Sequence, residues 1–592
     1  MELQKTEQGS AKSKLIQNFK EIQGQKFLWR LKKSDDDVVR KISSDYNLSL
    51  PVSQILYSRN FKQKEEIDSF LFPAFEKDVF GASLFKDALI AVQRINVAIE
   101  KKEKILVFGD YDVDGITSTS LLLVALLPLG ANINFYLPNR VRDGYGLSEK
   151  IVRKAHQSGY DLIITVDNGI TANKAARLAQ KLSVDLIITD HHRPHEKIPK
   201  AVAIIDANQP DCNYPYKELA GVGIIFKIIS LLYEQRNLEL PNKVYELLML
   251  GTVADVAPLT GENRFWVRYG LSKINKQKST AISVLAQNGR LNKDRLDSID
   301  IGFMIAPQLN ALGRLDDPRD AVRFLISSDL YEVESIGTTL KEINEKRKLL
   351  DRKIYEDIEM AIFEKRIDLE KENIIIAASS DWSAGVIGLV AGKLTHNYGK
   401  PSLLFHVDEN GFLKGSCRSI PEFNIFDALN ENKELLLNFG GHSFAAGLKL
   451  EQKNLPVLKA RLEEKISKEL TPQDLIPKIE LDAILDLPEM TLNLLSDLQR
   501  LEPFGNQNEQ PVFLIKNVTL LKEPMLLKEK HLKCFIFADG VIKPVIFFNR
   551  PELYPILNQI GEKAFDVAAS VVKNEWEGRV NIELQGLDIA IK

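Results

Sequence analysis

The sequence predicts a multidomain α/β protein: a parallel-sheet domain, a helical connector, a second, smaller α/β domain and a C-terminal β-barrel. Three observations predict it. From Lys104 onward, short continuous apolar runs alternate with amphipathic segments, the mark of a parallel sheet covered on both faces. A long, highly charged segment at 331–365 reads as one connecting helix, and a second strand-like run follows at 374–378. Beyond Pro472 and Pro477, short alternating strands are joined by turns such as Ala538-Asp-Gly540 and Glu575-Trp-Glu-Gly578, the pattern of a small barrel or sandwich.

At 592 residues the chain is too long for one ordinary domain and suggests three or four. Residues 1–60 are polar and mixed in charge, and read as an N-terminal extension. The first α/β domain is placed at 61–330, the connector at 331–365, the second α/β domain at 366–470 and the barrel at 471–592. Within the first domain, strands are expected at 105–108, 133–137, 162–166 and 186–189, with helices at 116–127, 148–157 and 172–182. A largely helical stretch follows from 217 to about 364. Barrel strands are expected at 531–537, 541–548 and 565–572. There is no internal repeat and no low-complexity tract.

Composition excludes several classes. Hydrophobic content of 44% and charged content of 27% belong to a globular chain with a substantial core. The net charge of only -3 means that any polyanion must be held by local basic patches, not by the whole-molecule field. Cys212, Cys417 and Cys534 form no CxxC pair, so neither a zinc ribbon nor a disulfide framework is indicated. The N-terminus lacks the apolar core of a signal peptide, and the most apolar run, 121–129, is too short to span a bilayer. A soluble, cytoplasmic protein is expected.

The chemistry concentrates at strand ends. Asp110, Asp112 and Asp114 follow a buried strand, and carboxylates this close raise one another's proton affinity unless a cation neutralises them. Taken alone, the loop could be a solvated acidic turn. An EF-hand begins in the same way, but its twelfth position requires a bidentate Glu and here is Leu121. A Walker-type phosphate loop would need a Gly-Lys-Ser/Thr sequence that is absent. Asp167-Asn-Gly169 and Asp190-His-His192 end neighbouring strands, at the edge where open α/β sheets place their ligands. Asp255, after an apolar helical run, can reach the same edge. Such a set suits two ions clamping an in-line phosphoryl displacement, Mn²⁺ with Asp/His ligands or Mg²⁺.

In order, Asp110-Tyr-Asp-Val-Asp-Gly115, Asp167-Asn-Gly169, Asp190-His-His192 and Gly251-Thr-Val-Ala-Asp255 resemble the four motifs of the DHH phosphoesterase superfamily. Pro138-Asn-Arg-Val-Arg-Asp-Gly-Tyr-Gly146, Leu309-Asn-Ala-Leu-Gly-Arg314, the Gly-rich 440–447 and Glu502-Pro-Phe-Gly505 resemble, within it, the bacterial RecJ family of single-strand-specific 5′→3′ exonucleases. The resemblance runs from about residue 50 to the C-terminus. It implies that Asp110, Asp112, Asp114, Asp167, His191 and Asp255 hold two Mn²⁺ or Mg²⁺ ions, with Asp167 as the bridge. Asp190 would orient His191, and His192 would sit beside the scissile phosphate. The nucleophile would be a metal-activated water rather than a side chain.

Substrate binding is implied for Arg140, Arg142, Arg314, Ser416, Arg418, Gly441, His442 and Ser443. Ser416 and Arg418, completed by Arg140 or Arg142, would receive a terminal 5′-phosphate, for which an Arg fork is well shaped. The 440–447 stretch is expected to lead into a helix whose N-terminus meets the DNA backbone. Cys417 departs from the glycine expected between Ser416 and Arg418. The barrel resembles an oligonucleotide-binding (OB) fold, with Phe535, Phe537, Phe547, Phe548 and Trp576 as aromatics that either stack on bases or fill the core. The partners implied are single-stranded DNA, a single-strand-binding protein and a RecQ-type helicase, with the chain a monomer in DNA recombination and repair. Two other readings stand beside this one. The first is a DHH-type phosphoesterase for short oligonucleotides or pAp, whose members are generally shorter and lack the barrel. The second is a catalytically silent single-strand-binding protein, for which a crowded carboxylate cluster has no use.

Overall fold

The computed structural model describes residues 19–139, 146–576 and 579–591. The chain divides into two compact units, 72–352 with 503–509, and the remainder. The division falls inside the long helix Leu330–Phe363, the charged segment read as a connector.

The described chain opens on a hairpin, β1 (Phe19–Gln23) and β2 (Leu28–Lys32), and β2 pairs in parallel with the far strand Lys478–Leu481. Trp29 is fully buried, and its indole N–H donates to the buried Asp588 carboxylate at 3.1 Å. Phe27 N–H and Arg550 Nη2 also donate to that carboxylate, so the buried charge is satisfied. The stretch read as an extension thus supplies a strand and core residues to this unit.

The other unit is built on β3 (Lys104–Gly109), β4 (Asn132–Tyr136), β5 (Leu162–Val166), β6 (Asp185–Thr189) and β7 (Ala203–Ile205), all parallel in the order β4-β3-β5-β6-β7. β3 is buried on both faces after its exposed Lys104, which is why it reads as a continuous apolar run. One face packs on the helices Ala88–Glu100, Val113–Leu126, Gly221–Gln235 and Lys243–Ala254. The other face packs on Glu149–Gln157 and Asn173–Lys181. The chain leaves β3 for β4 on one side and returns to β5 on the other. This is a topological switch point, where the C-terminal strand ends open a crevice. The predicted strands and helices fall where expected, and β7 is added at the edge.

The remaining unit holds a mixed sheet and a strand ring. The sheet, ordered β11-β12-β10-β9-β8, consists of β8 (Ile375–Ser379), β9 (Ser402–Val407), β10 (Phe412–Arg418), β11 (Leu436–His442) and β12 (Ala445–Glu451). The Gly-rich 440–447 stretch is therefore a β-hairpin and does not lead into a helix. Its glycines and alanines permit the close cross-strand pairing of that hairpin. Gly441 has φ +141, and a Cβ there would lie 2.3 Å from the Ala445 carbonyl. After β13 (Lys478–Leu481) come β14 (Ala483–Ile484), β15 (Phe513–Leu520), β16 (Met525–Leu527), β17 (His531–Ala538), β18 (Val541–Phe547), β19 (Phe565–Trp576) and β20 (Arg579–Ile591). The extra β15–β17 pairing closes β15, β19, β20, β18 and β17 into a ring. Phe547 lies in the core of this ring, whereas Phe537 and Phe548 are exposed. Phe535 is half-buried, with the Lys522 ammonium 4.4 Å from its ring centre. The Trp576 side chain lies outside the described residues. No described helix is long and apolar enough to cross a membrane.

Candidate metal centre

Asp110 directly follows β3, and Asp112 caps the helix Val113–Leu126, its side chain accepting from Gly115 N–H at 3.2 Å. The cap places Asp114 in the first helical turn, pointing back over the strand end. Both Asp114 oxygens accept backbone N–H groups at the start of a second helix, Gly221 at 2.6 Å and Val222 at 2.8 Å. The partial positive end of Gly221–Gln235 thus faces a carboxylate. Only glycine fits at 221, because a Cβ there would stand 2.7 Å from the Asp167 Cβ and 3.0 Å from Asp114 Oδ2.

Asp167 follows β5 in a left-handed conformation, φ 59, which turns its side chain back toward β3. His191 follows β6, with Nε2 3.1 Å from Asp167 Oδ1 and 3.9 Å from Asp114 Oδ2. Its Nδ1 lies 3.9 Å from Asp255 Oδ2, and Asp255 caps the C-terminus of Lys243–Ala254. Three overlapping groups have ligand atoms within 4.8 Å of one another: Asp110, Asp112 and Asp167; Asp114, His191 and Asp255; Asp167, His191 and His192. Asp167 and His191 each belong to two of them.

The electrostatics fit a dication. Burial, with the Asp112 charge, raises the Asp114 carboxyl to about 7. Burial and the charges of Asp114, Asp112, Asp110 and Asp255 hold Asp167 well above the carboxylate range. Asp255 is raised in the same way, by burial and then by Asp114 and Asp112. Asp114, Asp167 and Asp255, unwilling to ionise without a neutralising charge, together with the Asp110 and Asp112 oxygens and the His191 imidazole, offer the donor chemistry of Mn²⁺ or Mg²⁺.

Asp190 behaves differently. Burial opposes its ionisation, but the hydrogen bond and charge of His192, with the Ile170 N–H, outweigh burial and lower it. Its Oδ1 lies 2.7 Å from His192 Nδ1 and accepts the backbone N–H groups of His191 and His192. The imidazole that Asp190 orients is therefore that of His192, while His191 is held through its backbone. The chain turns over the Asp190 carboxylate after β6, which puts the His192 ring, not that of the adjacent His191, within reach of it. Burial works against the His192 cation, yet the Asp190 hydrogen bond and charge raise it to about 9.

The sequence reading missed several supports. Asn208 Nδ2 donates to the His191 carbonyl at 2.7 Å, and Asp206 Oδ1 accepts Asn208 N–H at 2.7 Å. Asp206 is fully buried, its Oδ2 has no hydrogen-bond partner, and burial raises its carboxyl to about 7. The run Asp206-Ala-Asn208 after a short strand was the available signal. Asn310 Oδ1 accepts Val113 N–H at 3.2 Å, and Gly313 lets its helix approach the Tyr111 carbonyl, where a Cβ would come within 2.2 Å. Arg314 follows on that helix.

Arg140 and Arg142 lie outside the described residues. Ser416 and Arg418 stand on β10, two residues apart and so on one face, with Arg418 Nη1 donating to Ser416 Oγ at 3.4 Å and to the Cys417 carbonyl at 2.8 Å. The helix Ile387–Tyr398 meets that face at its first turn, where a Cβ on Gly388 would lie 2.7 Å from Ser416 Oγ. Cys417 points the other way into the core and is fully buried, so it leaves the Ser416–Arg418 face unaltered. Across β12, Gly447 is opposite both Ser416 and Gly440, and Ala445 is opposite both Arg418 and His442. Ser416, Arg418 and His442 thus surround a patch almost bare of side chains, with Gly441 and Ser443 at its hairpin end.

Comparison with known proteins sets the class first. Residues 104–252 match the DHH family, N-terminal domain; 371–468 match the DHHA1 domain; and 481–588 match the RecJ OB domain. The single-stranded-DNA-specific exonuclease RecJ of Bacillus subtilis is 34% identical over 569 residues, 96% of this chain and 71% of that protein. The Escherichia coli protein of the same name is 33% identical over 83% of this chain and 88% of its own. A crystal structure of RecJ from Thermus thermophilus in complex with Mn²⁺ superposes with a TM-score of 0.80 at 27% identity, covering 95% of this chain and 79% of that one. Its complex with Mg²⁺ gives 0.74 at 25% identity, over 95% and 78%. The chain belongs to the RecJ family of single-stranded-DNA-specific exonucleases.

Proposed function

We propose that the chain hydrolyses single-stranded DNA from its 5′ end, releasing 5′-mononucleotides, in DNA recombination and repair. The observation that carries this reading is the convergence of Asp110, Asp112, Asp114, Asp167, His191 and Asp255 at one switch point, in a chain that shares its domain set with RecJ exonucleases.

Those six residues would hold two divalent ions, Mn²⁺ or Mg²⁺, with Asp167 as the shared ligand. When bound, the ions supply Lewis-acid polarisation of the phosphodiester and a nucleophilic water at neutral pH. The protein's own contribution is orientation and charge. The Gly221 and Val222 N–H groups fix Asp114, and the left-handed turn at Asp167 fixes its carboxylate. His192, kept cationic by Asp190, gives Nδ1 to that carboxylate, so Nε2 is the nitrogen that meets a non-bridging phosphate oxygen. Asp190 and His192 act in this way as a charge-stabilising pair.

Ser416, Arg418, Gly441, His442 and Ser443 receive the 5′-terminal phosphate and the first backbone linkages, with Arg140, Arg142 and Arg314 as further phosphate contacts. Gly388 at a helix start and the bare patch of the 440–447 hairpin support that reading. The strand ring within 471–592 binds the single strand, with exposed Phe537 and Phe548 as its stacking aromatics. The chain acts as a cytoplasmic monomer alongside a single-strand-binding protein and a RecQ-type helicase, which supplies the unpaired 5′ strand.

The test is incubation of the protein and its Asp167→Ala variant with 5′-phosphorylated single strands, the matching duplex and pAp, in Mn²⁺ or EDTA. Mononucleotide release from single strands, absent in EDTA and in the variant, is expected. Preference for duplex, or activity confined to pAp, overturns the exonuclease reading.

A further inference from the structure

We propose that Asn506 is a positioning residue for the metal centre: it clamps the turn that aims Asp255. The stretch Glu502-Pro-Phe-Gly505, conspicuous in the sequence, takes no part in the site as described so far. Residues 503–509 nevertheless belong to the catalytic unit, although both flanks in the chain belong to the other.

The helix carrying Asp255 ends in a Schellman-type turn. Val256 N–H donates to the Val253 carbonyl at 3.2 Å and Ala257 N–H to the Thr252 carbonyl at 3.3 Å. That turn requires a left-handed residue just after the cap, a position usually given to glycine. Here it is Val256, φ 58, a β-branched residue for which this conformation is a genuine outlier. Its side chain is 64% exposed, so packing does not impose the conformation. The surrounding structure must therefore hold it by other means.

The 503–509 segment provides them. Asn506 Nδ2 donates to the Val256 carbonyl at 2.8 Å, and the Asn506 carbonyl accepts Leu259 N–H at 2.8 Å. One residue thus grips the turn at both ends. Asn506 is itself held by a small built loop: Gly505 and Asn508 exchange backbone hydrogen bonds at 2.8 and 3.0 Å, and Asn508 Nδ2 donates to the Pro503 carbonyl at 2.8 Å. The loop is anchored by Ser298 Oγ on the Phe504 carbonyl at 2.6 Å. Gly505 lies against Leu259, where a Cβ would come within 2.6 Å of its side chain.

The proposal rests on the metal-site reading, and metal binding itself is the readout. Asn506 is exposed, so its loss leaves the fold in place. Mn²⁺ binding to the full chain, Asn506→Ala, Val256→Gly and the double variant is measured by calorimetric titration without DNA. Asn506→Ala is expected to weaken Mn²⁺ binding roughly threefold to tenfold. Val256→Gly alone is expected to bind as the unsubstituted chain does, because glycine adopts the turn without strain. In the double variant, glycine restores most of the lost affinity. Unchanged affinity in Asn506→Ala overturns the proposal alone, as does a loss that Val256→Gly fails to rescue. Absence of Mn²⁺ binding by the unsubstituted chain overturns the metal-site reading and the proposal with it.

Discussion

Replacing Asp167 by Asn is expected to stabilise the metal-free protein at pH 8 while removing its response to Mn²⁺. The substitution keeps the shape of the side chain and suits the left-handed backbone at 167, which asparagine adopts readily. What it removes is charge. Ligand oxygens of Asp167, Asp110 and Asp112 lie within 4.8 Å of one another. At an effective dielectric of 20, one such pair of charges repels by about 3 kcal/mol. The His191 ring 3.1 Å from Asp167 offsets part of this, leaving a net gain of roughly 2–3 kcal/mol for the variant. For a domain of this size that corresponds to a rise of roughly 5–10 °C in the unfolding transition of the catalytic unit. The pH dependence follows from linkage. Asp114, Asp167 and Asp255 have folded values raised above the unfolded carboxylate, so folding takes up protons. Stability of the metal-free protein is therefore full below the unfolded value and falls as pH rises toward about 7, the Asp114 value. The advantage of the variant should vanish near pH 4 and grow as pH rises above it. Differential scanning calorimetry in EDTA across that range reads it directly, and a second series in Mn²⁺ should stabilise only the unsubstituted chain. A variant that is less stable in EDTA at pH 8, or that still gains as much from Mn²⁺, refutes the argument.

Asp190→Asn should drop the His192 pKa from about 9 to near or below its ordinary value, as seen by NMR titration of the imidazole in EDTA. In the unsubstituted chain the pair stabilises fully below the unfolded histidine value and is lost as pH rises through about 9, so the variant should lose stability mainly below that pH. Gly221→Ala puts a methyl group 2.7 Å from the Asp167 Cβ and should cost about 1–3 kcal/mol of stability and at least roughly tenfold in Mn²⁺ affinity, both measurable by calorimetry. Arg418→Ala should erode the preference for a 5′-phosphate over a 5′-hydroxyl by roughly tenfold or more, with cleavage of the latter little changed; competition between the two labelled strands measures it.

The parallel sheet was legible because its strands are buried on both faces, so each is an unbroken apolar run ending at the residue where chemistry begins: Gly109 before Asp110, Val166 before Asp167, Thr189 before Asp190. β7 was missed because a three-residue strand carries too little pattern to separate it from a loop. Asp206 and Asn208 went unrecognised with it. The helix expected after 440–447 failed for a related reason: glycines that allow a phosphate to approach also allow strands to pair closely, and the pairing of Gly440 with Gly447 makes this stretch a hairpin. The supports of Asp114 lay beyond sequence reading altogether, because backbone N–H groups at 221 and 222 carry no residue signature across 107 positions. His192 rather than His191 as the partner of Asp190 was hidden because both are adjacent to it in the motif, and the choice depends on how the chain turns after β6.

These contacts divide the labour among the acidic groups by the kind of neighbour each has. Asp190 is buried yet ionised, because a histidine and three backbone N–H groups face it. Asp167 is equally buried and is pushed the opposite way, because burial and the charges of four neighbouring carboxylates act together. Burial alone therefore does not decide which carboxylates are structural and which are ligands. A carboxylate already supplied with donors has its charge neutralised locally and has little left to offer an ion. One surrounded by its own kind gains most from binding one. Asp114 stands between the two cases: both its oxygens accept N–H groups at a helix start, but burial and Asp112 still lift it to about 7. If Asp114 is a ligand as proposed, helix dipole and dication would act on the same carboxylate, which would tie the folding of Gly221–Gln235 to the occupancy of the site. A metal-free protein should accordingly loosen first at that helix start, in amide exchange at 221 and 222, before the sheet beneath it opens.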